Sequence, residues 1–149
     1  MYTYSIDFDK DIILNTNLVI KKIKSVLEDK RGWERLGYNF CYKEKNAKFK
    51  IKIVKEEKII KTCKFSGLSC ADTSKNIIYI NIKRWRNGSK LSKLSLDEYR
   101  TYVINHEIGH LIGRGHVKCG KSGSKVPVMV QQTLGISDCK PNPWPLYWE

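Results

Sequence analysis

Three histidines and one glutamate stand at fixed spacing in His106-Glu107-Ile108-Gly109-His110-Leu111-Ile112-Gly113-Arg114-Gly115-His116, and that spacing dictates how the backbone must run. Two histidines four residues apart on a helix project from one face a turn apart, so their ring nitrogens can meet on one metal ion. His116 lies six residues past His110, and an unbroken helix would carry it more than a turn beyond the metal. The helix therefore has to stop between them. Gly113 is suited to the stop, because glycine enters the left-handed conformation cheaply, and Gly115 adds a second permissive position in the returning loop. The chain has only three histidines, and all three fall on this pattern.

Three neutral imidazoles around Zn²⁺ leave the fourth position open to water, which is the arrangement of a catalytic rather than a structural site. The ion lowers the pKa of that water towards ~7. Glu107, beside the ligand pair but not needed as a ligand, is the expected general base and acid. These residues predict zinc-dependent hydrolysis of a peptide bond.

Hydropathy periods place the motif. Residues 2 to 8 alternate Tyr, Tyr, Ile and Phe against Thr, Ser and Asp, which predicts a strand. Leu14, Leu18, Val19, Ile23, Val26 and Leu27 predict an amphipathic helix that ends before Gly32. Strands are expected over Tyr38 to Tyr42, Phe49 to Val54 and Asn76 to Ile82. Ser95 with Glu98 three residues later is a capping box, so a helix is predicted from about 96 to 112 with Tyr99, Val103, His106 and His110 along its buried face.

His106 to His116 resembles the metzincin zinc-peptidase signature H-E-x-x-H-x-x-G-x-x-H at every defined position. Metzincins also carry a methionine turn beneath the metal. Pro127-Val128-Met129-Val130 matches it, and the resemblance implies that Met129 floors the ligands without contacting the ion. The chain is also similar to an uncharacterised, mostly actinobacterial group of small metzincin-like domains. Arg31-Gly32-Trp33, Leu96-Asp97-Glu98-Tyr99-Arg100-Thr101-Tyr102-Val103, Val128-Met129-Val130-Gln131-Gln132-Thr133-Leu134-Gly135 and Asn142-Pro143-Trp144-Pro145 carry that likeness over most of the chain. It implies an α+β, zincin-type single domain over 1–149: a twisted mixed sheet, a backing helix, an active-site helix and an irregular C-terminal part. In that architecture an edge strand above the cleft pairs with an extended peptide or protein substrate, and Asn76 to Ile82 is the candidate because it precedes the metal helix.

Other positions are less determined. Val130 and Gln131 stand where many metzincins bring a tyrosine after the methionine turn, so that helper is absent. Gln131, Gln132 and Thr133 are candidates to bond substrate or brace a ligand, and Asn105 and Arg114 to orient one. Tyr147 in the aromatic tail either reaches the cleft or packs on the domain.

In the similar group cysteines lie near Cys63, Cys70, Cys119 and Cys139, which implies the pairs Cys63 with Cys70 and Cys119 with Cys139 and leaves Cys41 free. Four cysteines allow three pairings, so the pattern stays open, with zinc binding as the alternative use. Disulfides ask for an oxidising, extracytoplasmic compartment. The start of the chain has no charged segment followed by an apolar core, so no signal peptide is read there.

A net charge of +13 admits a polyanionic partner, nucleic acid included. The lysines are spread along the chain and many alternate with Ile or Val, as on a solvated strand face, so nucleic acid is not the favoured partner. No apolar run reaches the length of a membrane span, and a monomer is expected. Two other functions stay open: a zinc-containing peptide- or surface-binding domain without turnover, and a metal-dependent hydrolase of a non-protein amide.

Overall fold

The alternation at the start of the chain becomes strand β1 (Tyr2–Phe8), whose Tyr4 and Ile6 face inward while Asp7 faces solvent. The computed structural model describes residues 1–149 and contains a mixed five-stranded sheet with four helices. After β1 come α1 (Thr16–Leu27), β2 (Phe40–Tyr42), β3 (Phe49–Val54), α2 (Glu56–Cys63), β4 (Cys70–Asp72), β5 (Ile77–Asn81), α3 (Ile82–Asn87) and α4 (Leu96–Leu111). The sheet order is β2-β1-β3-β5-β4; all neighbours run parallel except β4, which pairs antiparallel with β5.

Each face of the sheet is covered differently. Tyr4, Ile6, Phe49, Ile51, Ile53, Ile78 and Ile80 form one core with Val19 and Ile23 of α1 and with Tyr102, Val103 and Ile104 of α4. On the opposite face Ile59 of α2 buries against Val54 and Tyr79. Lys50, one residue off the inner set of β3, is exposed, as the period of two requires.

Helix α4 starts where the capping box puts it. Ser95 Oγ accepts from Glu98 N at 3.2 Å, and Glu98 Oε1 accepts from Ser95 N at 3.1 Å. Residues 101–109 are buried without interruption, so the helix is enclosed on every side rather than along one stripe. The sheet and α1 cover part of it, and the C-terminal segment covers the rest: Tyr102 bonds Val130 O, and Asn105 bonds Pro143 O. Lys22 on α1 pairs with Asp97 at 3.0 Å.

Several expectations are corrected here. The strand expected over Asn76 to Ile82 is β5, and both of its edges are occupied, by β3 and β4, so it offers no free edge. The edge beside β5 is the three-residue β4, too short to give a periodic signal. The helix expected from Leu14 starts at Thr16, because Asn15 caps it and accepts from Leu18 N. Trp85, flanked by Arg84 and Arg86, lies on α3 and is buried under the Arg100 guanidinium. No helix is long and apolar enough to cross a membrane.

Cys63–Cys70 and Cys119–Cys139 lie at disulfide distance, with Cα separations of 6.2 Å and 5.9 Å, and Cys41 is free and exposed. The first pair ties α2 to β4. The second brackets the segment that carries Met129, where Val126, Val130, Ile136 and Cys139 form a small core of their own. Two such pairs are compatible with an oxidising compartment.

Candidate metal centre

Helix α4 ends in the way that brings His116 back towards His106 and His110. Gly113 has φ +97°, Gly113 N donates to His110 O at 3.1 Å, and Arg114 N donates to Gly109 O at 2.8 Å. These two bonds are the Schellman closure, which terminates the helix and turns the chain back. Gly115 does not use a positive φ and nothing lies within 4 Å of where its Cβ would be, so its permissiveness is not called on.

The reversal brings the three rings together. Their centroids are 4.9 Å apart for His106 and His110, 4.7 Å for His110 and His116, and 5.3 Å for His106 and His116. One ring nitrogen from each lies within 4.8 Å of the others. His110 Nε2 and His116 Nε2 face each other at 3.1 Å. Burial declines across the set: His106 is buried, His110 partly so, and His116 exposed.

Backbone carbonyls orient two of the rings. His106 Nδ1 lies 2.8 Å from Val128 O, and His110 Nδ1 lies 2.8 Å from Arg114 O. A carbonyl can only accept, so each Nδ1 carries the proton and each Nε2 keeps its lone pair for the space between the rings. Burial holds the proton affinity of all three low, with His106 brought down to about 3, so the neutral, ligating form prevails.

Glu107 completes the floor of a cleft of about 290 Å³ that also holds the three histidines. It is 5% exposed, its Oε2 has no hydrogen-bond partner, and burial pushes its pKa up to about 8. An unpartnered buried carboxylate is costly, and a cation held by the adjacent imidazoles would offset that cost. The donor set, three neutral nitrogens beside one orphaned carboxylate oxygen, fits a zinc-sized divalent ion.

Met129 is fully buried in a turn closed by Val130 N donating to Pro127 O at 3.1 Å. Its sulfur packs against Gly109, on the helix between His106 and His110. Its carbonyl accepts from Val117 N at 3.2 Å, which ties the turn to the residue after His116.

The other candidate residues divide. Gln131 and Thr133 line the cleft, together with Phe65, Leu68 and Ala71 from the β4 side. Gln132 is fully buried and braces the turn, donating to Pro127 O and Asn142 O. Asn105 donates its amide to Pro143 O and does not bond a histidine ring. Arg114 orients His110 through its carbonyl rather than its side chain. Tyr147 is 78% exposed and does not line the cleft. The sequence did not single out Tyr102, Phe65 or Leu68, which also line the cleft. Phe65 and Leu68 sit in the loop between the paired Cys63 and Cys70, so that spacing was the one signal pointing to them.

A family model described as "Protein of unknown function (DUF3152)" matches residues 1–146. No curated protein matches the chain.

Proposed function

The chain belongs to the DUF3152 family, and we propose that it is a zinc-dependent endopeptidase of the metzincin type, with His106, His110 and His116 holding the ion and Glu107 handling the proton. One observation carries this reading: a buried carboxylate with an unpartnered oxygen lines the same cleft as three convergent, neutral imidazoles. A binding domain that keeps zinc for stability has no use for such a carboxylate.

When bound, the ion supplies Lewis acidity, polarising a peptide carbonyl and making a nearby water acidic near neutral pH. Glu107 accepts the proton of the attacking water on its free oxygen and hands it to the departing nitrogen. The Val128 and Arg114 carbonyls keep two rings from rotating while this happens. Tyr102 is no oxyanion donor: its hydroxyl donates to Val130 O and accepts from Gln132 N, and burial raises its pKa so that it stays protonated.

The substrate reading moves with the sheet. β4 is hydrogen-bonded on one side only, and Cys70 and Ala71 line the cleft, so an extended peptide is proposed to add along β4 rather than β5. Phe65, Leu68, Val103 and Thr133 then face its side chains.

Glu107→Gln is the direct test, assayed on a mixed peptide library with stoichiometric zinc. Turnover should fall by about 10²–10⁴-fold while zinc content stays at one equivalent. Equal turnover in variant and parent would reject the role of Glu107, and purified parent protein that takes up no zinc would reject the centre itself.

A further inference from the structure

We propose that Glu149 is a positioning residue for the metal centre, acting on His106 through the Val128–Met129 peptide unit and on His110 through the Arg114 side chain. This inference rests on the reading of the three histidines as ligands.

The first relay runs through one peptide unit. Glu149 Oε1 accepts from Met129 N at 3.0 Å, and the carbonyl at the other end of that same planar unit, Val128 O, lies 2.8 Å from His106 Nδ1. A peptide unit is rigid, and its N–H and C=O point in opposite directions. Holding the N–H therefore aims the carbonyl. The carboxylate also polarises the unit it bonds, which makes Val128 O a stronger acceptor for the ring N–H.

Glu149 Oε2 steadies the arrangement by accepting from Val128 N at 3.1 Å and Leu146 N at 2.7 Å.

The second relay leaves from the Glu149 main chain. Glu149 O accepts from Arg114 Nε at 2.8 Å, and Arg114 O is the acceptor 2.8 Å from His110 Nδ1. Arg114 is further fixed by a bond from Nη1 to Tyr38 OH at 2.7 Å and by stacking over Trp33 and Tyr38. Glu149 thus joins the two carbonyls that orient two rings, although it lies 43 positions from His106 and 39 from His110 in the chain.

Glu149→Gln isolates the first relay. With its amide oxygen in the place of Oε2, the amide nitrogen meets Met129 N–H, a donor against a donor; the flipped amide abandons Val128 and Leu146 instead. Three readouts on the full chain apply: zinc affinity by chelator competition, the visible spectrum of the cobalt(II)-substituted protein, and the tautomer of His106 in the metal-free protein by long-range ¹H–¹⁵N NMR. We expect zinc affinity to weaken by about 10–100-fold, the cobalt bands to shift, and the His106 Nδ1–H form to lose its dominance.

A folded Glu149→Gln protein with unchanged zinc affinity, cobalt spectrum and His106 tautomer would overturn the proposal. If that variant does not fold, Glu149→Asp keeps the charge but withdraws both oxygens, and it is judged by the same three readouts. A parent protein that binds no zinc, with the His106 ring still responding to Glu149→Gln, would remove the metal reading and leave the relay standing.

Discussion

Met129 presses its thioether into the space that a side chain on Gly109 would need. A Cβ built there would overlap Met129 Sδ and stand 2.9 Å from Trp33 Cζ2. The absence of a side chain at 109 is what lets the Met129 turn lie directly against α4 between His106 and His110.

Gly109→Ala should therefore destabilise by about 1–3 kcal/mol through overpacking, seen as a lower urea midpoint. Because the closest overlap is with the flexible Met129 side chain, Met129→Ala in the same chain should leave the double variant more stable than the sum of the two single losses, with the Trp33 contact still to be relieved. Additive losses would mean that the two residues do not share this space.

Gly113 and Gly115 should respond differently to the same change. At 113 the backbone has φ +97° with open space around it, so Gly113→Ala costs about 1–3 kcal/mol from conformation alone and weakens zinc binding by displacing His116. At 115 there is neither a positive φ nor a neighbour, so Gly115→Ala stays within about 0.5 kcal/mol of the parent in thermal melts.

Metal-free protein should lose stability as the solution becomes alkaline. The three histidines have folded pKa values below the ordinary 6.5, so the unfolded chain binds their protons more readily and stability rises with pH up to about that value. Glu107 works the other way. Its pKa rises from 4.5 to about 8, so the folded state holds that proton and stability falls as pH climbs from 4.5 through 8. Between pH 6.5 and 8 Glu107 acts unopposed by the histidines, and the melting temperature should drop across that interval. Glu107→Gln should flatten the drop, and so should saturating zinc. A melting temperature that is constant from pH 6.5 to 8 in the metal-free parent would contradict this.

The two cysteine pairs should contribute unequally. Cys119–Cys139 spans 20 residues and Cys63–Cys70 spans 7, so loop entropy predicts about 3 kcal/mol for the first and about 2 kcal/mol for the second. Replacing each pair by serines and comparing denaturation midpoints measures this. Loss of Cys119–Cys139 should also loosen zinc binding, because that pair brackets the Met129 turn, whereas loss of Cys63–Cys70 should act on substrate affinity through β4.

Local rules alone made some of this structure legible. Ser95 and Glu98 start α4, Gly113 ends it, and the 106–110–116 spacing follows from the pitch of a helix and a left-handed closure, each a matter of neighbours within a few residues. The strands at Tyr2–Phe8 and Phe49–Val54 announce themselves by alternation for the same reason. What tertiary structure alone decided was everything set by contacts between distant segments. Three residues of β4 carry too little pattern to mark an edge, and only the pairing of β5 on both sides shows that β4 is the free strand at that end of the sheet. Likewise nothing near Glu149 in the chain indicates that its carboxylate meets Val128 and Met129, because hydrogen bonds across 20 or 21 positions leave no periodic trace. Local helix geometry brings the three histidines together; a long-range contact, to Val128 O, decides which way the His106 ring faces.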